Sequence, residues 1–250
     1  MVAILGLASL VVFVLASLIV GGRVLLLARR TGGLPEWTLG LSLVSAGAFG
    51  TAFAILPFFA PDAPPRLLHA TDQAGLLLNH LGFALLFYFV WSVFRRSEVW
   101  ATAFFGALMA ALGAGLLGSM LTLEVGEHTV GETISLDLWD WLSLVVRTIG
   151  YAWAAIESFL YYSKLRRRVG LGLADPAVAR RFLHWGVSLS AVLGIWLTII
   201  LDRLTPRRTA DWTELVSALL GFVVAAGLWK AFFSQAPEPE PHEATAGARA

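Results

Sequence analysis

Apolar runs of about 20 residues recur along the chain, and each is long enough to cross a hydrocarbon core of roughly 30 Å at about 1.5 Å of rise per residue. A transmembrane β-barrel would instead show alternating segments of about ten residues. Apolar residues make up 58% of the 250 positions and charged residues 14%, a balance that one water-soluble core of this length could not hide. The sequence therefore predicts an all-α, polytopic membrane protein. Its seven-helix transmembrane bundle covers residues 1–233, with spans at about 2–27, 36–58, 73–94, 99–122, 138–163, 178–203 and 211–233. The first run has no basic leading segment and no clear cleavage site, and Arg23, Arg29 and Arg30 follow its apolar stretch, so it reads as a retained span. Residues 234–250 (SQAPEPEPHEATAGARA) are rich in Pro, Glu and Ala and are expected to form a disordered cytoplasmic tail.

Orientation follows from the distribution of Lys and Arg between alternate loops. One side collects Arg29, Arg30, Arg95, Arg96 and the loop residues Lys164, Arg166, Arg167, Arg168, Arg180 and Arg181. The other carries many carboxylates, among them Asp62, Asp72, Glu124, Glu127 and Glu132. The basic side is expected to be cytoplasmic, which leaves the N-terminus outside and the C-terminus inside, in a cell membrane read as a bacterial inner membrane. Between Lys164 and Arg181, Gly170 and Gly172 suit a helix C-terminus, and Asp175 followed by Pro176 is a helix-start signal.

A charge at the bilayer centre costs at least about 2.5–3.5 kcal/mol, so each polar residue inside a span needs a partner or a purpose. Arg147 is the clearest case. At 100° per residue, Asp140, Arg147, Tyr151 and Ser158 fall within about 20° of a common direction and form a polar stripe. The third span adds Gln73 and His80 on one face, with Asn79 beside them, and His80 is expected at the depth of Arg147. Asp202 and Glu214 approach the same outer end from the sixth and seventh spans. Gln73, Asn79, His80, Asp140, Arg147, Tyr151, Asp202 and Glu214 thus form a candidate outward-facing pocket for a small polar or anionic ligand. The plainer alternatives are an arginine that snorkels to the interface and a histidine that only packs. Deeper, Glu157 is expected to pair with a cytoplasmic arginine or with His184, and a Glu157–His184 proton relay is a further option.

Chemistry is otherwise sparse. Cysteine is absent, so there is no disulfide, thiolate metal site or cysteine nucleophile. The loop 124–140 holds His128 among carboxylates, which is too few nitrogen or sulfur ligands for a zinc site, so no metal and no cofactor are expected. No P-loop, GxSxG or HExxH pattern occurs, and the seventh span has no mid-helix lysine for a retinal Schiff base. The expected function is a receptor- or sensor-like module that binds a ligand outside and signals to a cytoplasmic protein. A transporter or channel for a small solute or proton is the alternative, and an intramembrane enzyme acting on lipid ranks third. The expected partners are membrane lipids and a cytoplasmic signalling protein, with no nucleic acid. Glycines at 106, 113, 115 and 118 leave room for close helix contact or a homo-oligomer.

Overall fold

The computed structural model describes residues 2–60, 62–122, 138–205 and 210–233, and within them every regular element is helical. There are seven rods among the described residues. They are α1 (Val2–Thr31), α2 (34–59), α3 (Pro65–Arg95), α4 (Val99–Thr122), α5 (Leu138–Gly170), α6 (Pro176–Leu204) and α7 (Ala210–Phe233). Two rods change pitch. In α2, Leu34–Ser42 and Thr51–Phe59 are α-helical and Leu43–Gly50 between them is π-helical, and α3 ends in a π-helical turn over Trp91–Arg95.

The rods pack in chain order into a closed ring: each lies against the next, and α7 returns to α1. α4 is wedged on the flank between α3 and α5, which also touch each other directly. By length and composition, α1, α2, α3, α4, α6 and α7 are apolar enough to cross a membrane, the pattern of a multi-pass membrane protein. α5 is not among the six because it carries Asp140, Arg147 and Glu157, yet it completes the ring between α4 and α6.

Burial supports lipid as the outer solvent. Leu121 and Leu117 on α4 are 87% and 65% exposed, while Phe87, Val20 and Val224 are sealed inside the ring. Bands of exposed leucine around a packed centre would be an aggregation hazard in water and are the normal surface in a bilayer.

The helix ends follow local chemistry. Gly32 at φ +67° ends α1, and Gly172 at φ +69° follows the end of α5, a left-handed conformation that glycine adopts at no steric cost. The α5 end is closed by two bonds, from Leu173 N–H to Arg168 O at 2.9 Å and from Gly172 N–H to Val169 O at 3.0 Å. The Asp175 carboxylate caps α6 by accepting from Ala177 N–H at 2.7 Å, with Pro176 at the first helical position.

Several ends differ from expectation. α3 begins at Pro65, earlier than residue 73, because a helix that has left the lipid can continue through polar residues such as Arg66, His69 and Asp72. In α4, Gly115 and Gly118 do face α5, against Ser143 and the Trp139 ring, whereas Gly106 and Gly113 meet nothing within 4 Å. The tightest backbone approach lies elsewhere. At Gly82 of α3 a Cβ would stand 2.6 Å from the Ala46 nitrogen of α2, and Ser42 donates to the Gly82 carbonyl at 2.7 Å across the same contact. The expected tail, and the acidic loop with His128, lie outside the described residues.

Candidate functional site

α3 and α5 bring His80 and Arg147 together inside the ring. Arg147 Nη2 stands 3.2 Å from Nδ1 and 3.3 Å from Nε2 of His80, whose side chain is 2% exposed. His80 Nδ1 lies 2.8 Å from the Leu76 carbonyl, one turn back on its own helix, and Nε2 lies 3.3 Å from the Ser143 hydroxyl of α5. A carbonyl only accepts, so this network assigns the proton to Nδ1 and leaves Nε2 to accept from Arg147 and Ser143. His80 is thereby a neutral acceptor that orients the guanidinium.

Aromatic rings complete the frame. The Arg147 guanidinium carbon is 4.8 Å from the centre of the Phe83 ring and 5.6 Å from that of Trp196 on α6. Both are within cation–π range, an attraction that strengthens away from water. Phe83 in turn meets Tyr151 and Trp196 edge-on, with centroids 5.7 and 6.0 Å apart. Neither Phe83 nor Trp196 stands out in the sequence, because aromatics are abundant in the spans and no spacing rule marks these two.

What the cluster lacks is an acceptor for Arg147 Nε. Among the described residues Arg147 forms no ion pair, and its buried Nε has no hydrogen-bond partner. The Trp196 indole N–H is buried and unpartnered as well. Leaving a buried donor unsatisfied costs about 1–3 kcal/mol, and more for a charged group.

The other sequence candidates fall in different places. Asp140 accepts from Ser119 of α4 at 3.0 Å and acts on Arg147 through space. Asn79 donates to the Gly75 carbonyl at 2.9 Å, packed against Gly50, and Gln73 pairs with His69 at 2.9 Å, so both are engaged along the α2–α3 contact and the N-terminal stretch of α3. Asp202 is half-buried near the end of α6, and Glu214 is exposed on α7. The α6 contribution to the arginine cluster is Trp196, and α7 contributes none of its hydrogen bonds or ring contacts.

At the opposite end, buried Glu157 accepts from Arg95 Nε at 2.8 Å, and Arg95 Nη1 binds the Glu98 carboxylate at 2.7 Å. Trp100 N–H also donates to Glu98. The charged groups acting on His184 are Lys230 and Arg180. Glu157 and His184 thus have separate surroundings, which does not favour a relay between them. Lys164, Arg166, Arg167, Arg168 and Arg180 are exposed around the α5–α6 turn, with Arg181 half-buried.

A cavity of about 40 Å³ lies on the ring axis. Its walls come from every rod except α4, and Ser42, Tyr151, Trp185 and Ser188 are its polar members. Among the described residues no group of His, Cys, Asp and Glu could hold a metal ion. Comparison with protein-family models finds no match, and comparisons with curated proteins and with solved structures find none either.

Proposed function

We propose that this chain is a seven-span receptor- or sensor-like membrane protein that binds a small anionic or polar ligand at Arg147 and transmits its occupancy to a cytoplasmic protein. The observation that supports this reading is a buried arginine that forms no ion pair among the described residues and has an unpartnered Nε, with Asp140 acting on it only through space, standing beside an equally unpartnered Trp196 N–H. A structural arginine in lipid is normally matched by a counter-charge. Here the matching charge comes from the ligand, which the fixed guanidinium and indole donors receive without reorganising.

In this reading the N-terminus is outside, the C-terminus is cytoplasmic, and the protein resides in the cell membrane, the inner membrane in a bacterial cell. α5 is a span like the other six despite its charges, and a second copy of the chain is a further partner. The exposed arginines at the α5–α6 turn form the cytoplasmic docking surface, since α5 connects that turn directly to Arg147. The test is a thermal-shift panel of phosphate, sulfate and short carboxylates on detergent-solubilised protein. Stabilisation by at least one anion, lost in Arg147→Gln and partly kept in Arg147→Lys, supports the proposal. Equal responses from parent and Arg147→Gln would overturn it.

A further inference from the structure

The cavity and the arginine cluster are successive layers of one site. On α3 the step from Phe83 to Leu86, on α5 from Arg147 to Tyr151, and on α6 from Trp196 to Val192 each moves three or four positions from a cluster residue to a cavity-wall residue. α5 runs antiparallel to α6 as its ring neighbour, so chain numbers rise along one and fall along the other; the displacements share a direction toward the α5–α6 turn. One turn is about 5.4 Å. Tyr151 belongs to both layers, since its ring meets Phe83 and also walls the cavity.

We infer that the ligand is a small organic anion, a monocarboxylate with an apolar body, whose carboxylate is held by Arg147 and whose hydrocarbon part fills the cavity below Tyr151. This rests on the reading of Arg147 as an anion site and adds the chemistry of the remainder. The walls are largely apolar, from Leu43, Leu86, Leu189, Val192 and Leu228, and an apolar cavity favours hydrocarbon over water. At about 40 Å³, well below the roughly 150 Å³ of an apolar cavity that takes benzene, the space suits one or two carbons of an alkyl group and excludes a ring. A free inorganic anion would leave it empty, losing the burial that the cavity offers.

The test is a homologous series of carboxylates from acetate to octanoate, titrated against the intact protein in detergent micelles. Affinity is expected to rise about fourfold per added methylene until the cavity is full, then level off. Val192→Phe, which fills the cavity from α6, is expected to abolish the gain for hexanoate while leaving acetate unchanged, and Val192→Ala to move the plateau to longer chains. Should Val192→Phe fail to fold, the parent series and Val192→Ala decide the matter. Binding that needs Arg147 but is the same for acetate, phosphate and hexanoate overturns this inference and leaves the anion site standing. Carboxylate binding indifferent to Arg147→Gln removes both.

Discussion

Arg95 at the end of α3 and Glu157 inside α5 meet at 2.8 Å, the point where these two rods are tied by charge. Glu157 is 5% exposed, so removing its partner strands a buried carboxylate. Arg95→Gln is expected to destabilise the bundle by about 3 kcal/mol. Glu157→Gln should cost less, because the amide can still accept from the guanidinium. Thermal unfolding in one detergent, with the double variant Arg95→Gln, Glu157→Gln as the third corner, checks this. A double variant less stable than Arg95→Gln alone would contradict it.

Glu98 lies in the short connection beyond that pair. Its carboxyl is held below the usual range first by the Arg95 hydrogen bond and then by the Trp100 N–H. A depressed folded value means that the contribution is fully present above the unfolded value of about 4.5 and fades as pH falls through the lower folded value. Trp100 emission should therefore stay constant from neutral pH down to about 5 and change in more acidic buffer, and Glu98→Gln should remove that transition. A transition centred near neutral pH would require another group.

Close packing gives a third expectation. In Gly82→Ala the new methyl would run into the Ala46 Cβ and stand 2.6 Å from its nitrogen and 2.9 Å from its Cα, none of which can swing aside. α2 and α3 must separate, with a loss of about 1–3 kcal/mol or more. Gly106→Ala meets nothing within 4 Å and should be neutral or slightly stabilising, since alanine is the better helix former. Folded yield and unfolding temperature of the two variants, compared side by side, test the contact.

Topology is open to direct labelling because the chain has no native cysteine. Asp62→Cys, between α2 and α3, is expected to react with an impermeant maleimide on intact cells. Leu173→Cys, 73% exposed in the α5–α6 turn, should react only after permeabilisation. The reverse pattern would invert the proposed orientation.

The rods were legible because lipid imposes a length and an apolarity that few other environments demand, and the α5–α6 turn because Gly172, Asp175 and Pro176 each suit one backbone conformation. The meeting of His80 with Arg147 followed from depth, since each polar residue in a span must find company nearby. Other features had no local signature. Glu157 could be assigned an arginine but not Arg95 in particular, because that choice depends on which rods adjoin. The aromatic frame of Phe83 and Trp196 is a three-dimensional coincidence of three helices. The π-helical stretch Leu43–Gly50 carries no motif, and the same small residues fit an α-helix equally well.

The ring order has a bearing on how the molecule is made. Every neighbour relationship except one joins rods that are consecutive or nearly so, and those can pair as they emerge from synthesis. The exception is the seam between α1 and α7, fastened by the Ser9 hydroxyl on the Ala218 carbonyl at 2.8 Å and by Arg23 over the Phe233 ring at 4.3 Å. α1 must wait for α7, so until that rod has been made the ring is an open crescent with one uncovered flank on α1, and the axial chamber lacks a wall until α7 docks.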